Sequence, residues 1–214
     1  MRNIFSPDSP LMTALGTLAD LVFCNILFCL FSLPLFTVGA SLTALYDCTL
    51  SIVEQREGTF VIQQFWNAFR RGFKRGTALG LICMAVFALL GAYYMAVGTL
   101  SGGLQRMYRT TFLVLVFLWL AVFQYIFPLQ AKFRMKVGQN LKTAVLLSAA
   151  ALPWTLCSLA VTGGAVYLSF FMNPYGLDLA VFLWAFAIFA VVAYLNSFFF
   201  QQAFKCLIPD DDKT

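Results

Sequence analysis

The chain has 214 residues, 61% of them apolar and only 11% charged, with a mean hydropathy of +0.84 and a formal net charge of +5. Soluble domains carry charge on about a quarter of their residues, so a soluble globular domain is excluded, as is a nucleic-acid binder with a separate basic unit. The complete lack of histidine removes the usual proton shuttle, haem ligand and catalytic base.

The apolar runs reach ~20 residues without alternation, the length of a membrane-crossing helix and not of the ~10-residue alternating strands of a barrel. The predicted fold is therefore all-α: a polytopic transmembrane helical bundle forming one domain over residues 1–214, plus a cytoplasmic amphipathic helix. The N-terminal stretch has a weak basic region, an apolar core interrupted by Asp20 and no small-residue cleavage site, so it is read as a retained helix.

The first span covers about 11–33. Asp20 falls near its middle, where a charge costs ~2.5–3.5 kcal/mol on insertion scales and usually faces the bundle or water. Thr13, Gly16, Thr17, Asp20 and Cys24 share one helix side, and Asn25 is turned toward a different neighbour. Two readings stand for Asp20 and Asn25: helix–helix glue, or an ion or substrate site.

The second span, about 35–53, is the weakest. It opens with SLPLFTVGASLTALYDC, polar and small where water is scarce. Pro34 disfavours helix at Leu33 and starts a new one well, and Thr37 or Ser41 is placed to cap it. Gly39, Ala40, Ser41 and Ala44 allow close backbone approach, and Tyr46 and Asp47 follow. The string reads either as a tight hairpin with a lipid-shielded helix, or as a broken helix lining a cavity. In the first case there are six spans; if 34–53 is re-entrant there are five.

Residues 60–75, FVIQQFWNAFRRGFKR, form an amphipathic pattern. Ile62, Phe65, Trp66, Phe69 and Phe73 fall within about 100° of arc, with Arg70, Arg71, Lys74 and Arg75 among the polar residues opposite. The expectation is a helix on the inner membrane surface, anchored by its aromatics and by anionic lipid, or a docking helix for a cytoplasmic partner. Gly72, Gly76 and Gly80 then repeat every four residues, a row able to seat another helix.

The remaining spans are about 77–100, 111–131, 143–171, with a bend at Pro153, and 178–200 after an MNPYG turn. Lys and Arg number five in 54–76, two in 101–110, four in 132–142, none in 172–177 and two in the tail. That alternation puts 54–76, 132–142 and the C-terminus in the cytoplasm of a multi-pass cell-membrane protein. The six cysteines lack metal-site spacing and read as small hydrophobes. No phosphate loop, dinucleotide motif, nucleophile elbow or HExxH is present, so no catalytic residue, metal or cofactor is expected.

DLVFCNILFCLFSLPLFTVGASLTALYDCTLSIVEQ followed by FWNAFRRGFKRGTALGLI resembles the YesL-type membrane proteins of Gram-positive bacteria, the domain-of-unknown-function 624 family. Asn25, Ser32-Leu33-Pro34, Thr37, Gly39-Ala40-Ser41 and Ala44-Leu45-Tyr46 carry the resemblance over the first ~90 residues. Phe127-Pro128-Leu129 and Asn140 to Ala144 are similar to later family segments. The resemblance implies no established activity. Such genes often lie beside carbohydrate-uptake transporters, which implies a non-enzymatic accessory or assembly factor near sugar import, with transporter components or further copies of the chain as partners. The alternative is a small-solute transporter or channel whose path is lined by the first two helices.

Overall fold

The structure is a computed structural model that describes residues 10–54, 60–98, 102–171 and 181–205. The Thr13 side chain, Arg56, the MNPYG turn, Cys206 and Lys213 lie outside the described residues. All regular structure among the described residues is helical. Helix α1 (Pro10–Ser32) is followed by a 3₁₀ turn (Leu35–Thr37) and by α2 (Val38–Val53), α3 (Val61–Gly98) and α4 (Gly103–Phe133). Then come α5 (Val137–Ala150), α6 (Leu152–Phe171) and α7 (Val181–Phe204), the last with a π-helical turn at Trp184–Ile188. All but α5 are long and apolar enough to cross a bilayer, the turn and α2 counting as one segment, Leu35–Val53, so six segments qualify. The chain is a multi-pass helical membrane protein.

Local chemistry sets the breaks. α1 starts on Pro10, whose missing N–H is one of the helix's orphans in any case. It stops where Leu33 meets Pro34, which has φ −76° and ψ 113°. α4 begins after Gly102, at φ +77°, a backbone state that needs glycine. It ends on Arg134, left-handed at φ 49°.

Two segments differ from the sequence expectation. The amphipathic stretch 60–75 and the third span are one uninterrupted helix. No proline falls between Val61 and Gly98, and 38 residues at 1.5 Å each give about 57 Å, well beyond ~30 Å of hydrocarbon. The expected 143–171 span is two helices: α5 starts at Val137, and the break falls at Ala151 (φ −108°, ψ 39°), two residues before Pro153. Pro153 cannot donate to the carbonyl of Ala149 and its ring crowds it, so the helix must end upstream of the proline.

α2 is the most buried of the six segments and packs most extensively on α3. One core joins α1, α2, the start of α3 and the upper part of α7 around Cys24, Ala40, Ala44, Cys48 and Phe65. A second joins α4, α5 and the end of α7 around Tyr125, Ile126, Leu147, Phe200 and Phe204. Leu50, Leu79 and Cys83 carry α2 and α3 into it.

Candidate functional site

The small residues at the start of α2 meet the glycine row of α3. A Cβ on Gly39 would lie 2.7 Å from the Gly80 Cα and clash with the Gly76 carbonyl. A Cβ on Gly76 would lie 2.8 Å from the Ala40 Cα, and one on Gly80 2.9 Å from the Gly39 Cα. Separations under 3.0 Å leave no room for any side chain, so two backbones are in direct contact here. Thr43, one turn on, bonds its hydroxyl to the Gly39 carbonyl at 2.8 Å and touches the open side of Gly72.

The turn before α2 is held differently from the expected cap. Thr37 stands at the N-cap position, yet its hydroxyl makes no cap bond. It lies 2.6 Å from the Phe31 carbonyl and 2.7 Å from that of Pro34, closing the end of α1 instead. Ser41 makes no cap either: its oxygen is buried without a hydrogen-bond partner. Pro34 is exposed and shapes the turn through its backbone.

Asn25 is fully buried and binds α7 at the π turn. Its Nδ2 donates to the carbonyls of Trp184 (3.1 Å) and Ala185 (2.7 Å), and its Oδ1 accepts from the Ala190 N–H (2.9 Å). A π turn widens the helix and disturbs the i→i−4 ladder. One side-chain amide from α1 supplies the partners that the distorted backbone lacks, and Cys29 adds a thiol 3.5 Å from the Ala185 carbonyl. Asp20 is half-buried on α1 and does not join this cluster, and a Cβ on Gly16 would meet no other element within 4 Å. Among the described residues of the predicted polar seam, only Cys24 is buried.

Tyr46 packs edge-on against Phe200, with ring centroids 5.8 Å apart, and borders a cavity of about 730 Å³ between α1, α2, α4, α6 and α7. Asn196 lies on the same wall, its Nδ2 donating to the Thr162 hydroxyl at 2.9 Å.

At the other end of α2 the cations assemble. Arg75 donates to the Arg134 carbonyl, Arg134 approaches the Asp47 carboxylate at 4.0 Å, and Lys132 pairs with Glu54 at 2.8 Å. Arg71, Arg75, Arg134 and Asp47 border a small cleft of about 50 Å³. Gln64 ties α3 to α2 through the Ser51 hydroxyl at 2.7 Å and the Asp47 carbonyl at 3.3 Å. Arg70 and Lys74 point away from this network and are exposed.

The aromatic face of the 60–75 stretch is used differently from the expectation. Phe65 and Phe69 are buried, not spread on a membrane surface. The Phe31 ring of α1 sits 5.9 Å from Phe65, 5.5 Å from Trp66 and 4.9 Å from Phe69. Period 3.6 reveals an apolar face but not what covers it, and here α1 and α2 cover half of it. Trp66 and Phe73 keep exposed edges.

Several members of the polar framework, apart from Asn140, which was named only as part of the family resemblance, were not singled out from the sequence. Tyr125 bonds Thr155 at 2.9 Å, Ser158 donates to Gln124 at 2.7 Å, Asn140 to Gln130 at 3.1 Å, and Thr49 meets Ser197 at 3.1 Å. The available signal was the one that flagged Asn25, an amide or hydroxyl inside an apolar run.

Residues 21–94, which span the second half of α1 and all of α2 with nearly all of α3, match the family model described as "Protein of unknown function, DUF624". The chain is 29% identical over 144 residues to "Uncharacterized protein YteU" of Bacillus subtilis (strain 168), a match covering 66% of this chain and 63% of that protein. The matched region thus spans less than two thirds of that relative's length. No solved structure matches. Through the glycine-seamed unit α1–α3, about a third of its length, this chain is similar to the DUF624 family.

Proposed function

We propose that this protein is a non-enzymatic accessory or assembly factor of the cell membrane, associated with carbohydrate uptake, that presents the charged end of α3 to a cytoplasmic partner. The observation that carries the docking part is the fixing of that end. With Phe65 and Phe69 locked on Phe31, the outward array of Trp66, Arg70 and Lys74 is rigid before any partner arrives, and preorganisation lowers the ordering cost of binding. The carbohydrate part rests on the resemblance to YesL-type proteins.

The orientation has its own support. Arg75 of the first basic connection and Arg134 of the second meet at one end of the bundle, beside Lys132 and Glu54, and the positive-inside rule makes that end cytoplasmic. Anionic lipid of the inner leaflet is then within reach of Arg70 and Lys74.

Purification of the tagged protein from native membranes in gentle detergent tests the reading. Sugar-transporter components are expected at stoichiometric ratio, and Arg70→Glu with Lys74→Glu should release them without unfolding the chain. Recovery of nothing but a homo-oligomer overturns it. Cysteines placed over 70–75 should resist impermeant reagents in intact cells; labelling from outside overturns the threading.

A second reading, a small-solute transporter, draws on the broken α1–α2 connection at the cavity wall. It requires flux in liposomes that Asp20→Asn alters, and vesicles that stay tight remove it.

A further inference from the structure

The cavity beside Tyr46 has a chemistry of its own. No charged side chain is among the described residues that line it, and Phe28, Leu42, Phe123, Val166 and Phe189 make its walls mostly apolar. Two polar atoms there are buried without a hydrogen-bond partner, the Asn196 Oδ1 and the Ser32 Oγ. Asn196 is only 2% exposed. A buried amide oxygen left unmatched is costly, and an apolar cavity does not hold water well.

We propose that this cavity binds one uncharged lipid chain ending in hydroxyl groups, with a hydroxyl donating to the Asn196 Oδ1. The absence of charge disfavours a phosphate headgroup or a fatty carboxylate inside the cavity, since an unpaired buried ion is far more costly than a hydroxyl. A sugar is a poor occupant, because a few polar side chains cannot match its many hydroxyls. The volume suits a chain: a methylene is close in size to a water molecule, whose share of liquid volume is about 30 Å³, so about 730 Å³ holds roughly 24 such groups. A monoacylglycerol has this form, an acyl chain ending in a diol.

A 1-monoacylglycerol carrying a diazirine and an alkyne on its chain, in phosphatidylcholine nanodiscs with the full protein, tests the proposal. Labelling should saturate, compete with unlabelled monoacylglycerol and map to peptides from Phe28–Val38 and Trp184–Asn196. The matching acyl methyl ester, which lacks a donor, should label about threefold to tenfold less, the range of one hydrogen bond. Val166→Trp, at a half-open position of the wall, should abolish the saturable part while leaving the melting temperature unchanged. Asn196→Leu should erase the preference for the diol; if it unfolds the protein, Ser32→Ala and the two-lipid comparison still decide. Label spread evenly over lipid-facing helices, saturable label elsewhere, or equal labelling by diol and ester overturns the proposal.

Discussion

Replacing Asn25 with leucine keeps the volume and removes every polar contact, so it isolates what the amide does for α7. Three bonds to α7 are lost, to the carbonyls of Trp184 and Ala185 and from the Ala190 N–H, together with a long 3.8 Å contact from Nδ2 to the Cys29 Sγ within α1. Interhelical hydrogen bonds in membrane proteins average ~0.6 kcal/mol and reach ~1.7, so the three together are worth about 2–5 kcal/mol. The upper half of that range is expected, because the orphaned groups are backbone atoms of a π turn with few local alternatives. Reversible unfolding in mixed micelles by added denaturing detergent, followed by circular dichroism, measures the change. Asn25→Asp should cost at least as much, since a carboxylate would face two carbonyls. Cys29→Ala should be small alone and larger in the leucine background, because its thiol shares the Ala185 carbonyl. A loss below about 0.5 kcal/mol for Asn25→Leu, the scatter of ordinary surface changes, would refute the claim that this amide holds the turn.

Gly76→Ala should destabilise the α2–α3 pair by more than 1 kcal/mol, the low end of overpacking costs, because its methyl meets the Ala40 backbone. Gly91→Ala, with nothing within 4 Å, should be neutral or gain up to about 1 kcal/mol of helix propensity; thermal melting of the two side by side decides. Ser41→Ala should raise stability by about 1 kcal/mol, since the hydroxyl is buried unpartnered, and a drop in the melting temperature would contradict that. A double-mutant cycle on Glu54 and Lys132 should return a coupling of no more than about 1 kcal/mol, because both side chains remain about one-fifth exposed.

Much of the arrangement was legible in the chain. The small residues at 39–44 and the glycines at 72, 76 and 80 each advertise a close helix approach, and they turn out to be the two halves of one contact. Asn25 announced a bond to another helix, though not which one: a polar residue in an apolar run reports a partner's existence and nothing of its address. The π turn left no mark, because WAFAI has no breaker and its distortion depends on Asn25 arriving from 159 residues away. The union of the 60–75 stretch with the third span was hidden by composition. Charge changes abruptly near Gly76 while the backbone does not. Ala151 carries the break that Pro153 causes, since a proline acts on the turn before it.

The continuity of α3 has a mechanical consequence. A hydrogen-bonded rod of 38 residues has no joint at which its two ends could move separately, so a push on Arg70 reaches Tyr93 as tilt or translation rather than dying at a hinge. Since the Gly39–Gly76–Gly80 contact leaves no slack, α2 must travel with the rod. Tyr46, carried on α2, would then register at the cavity wall whatever docks or pulls at the cationic tip.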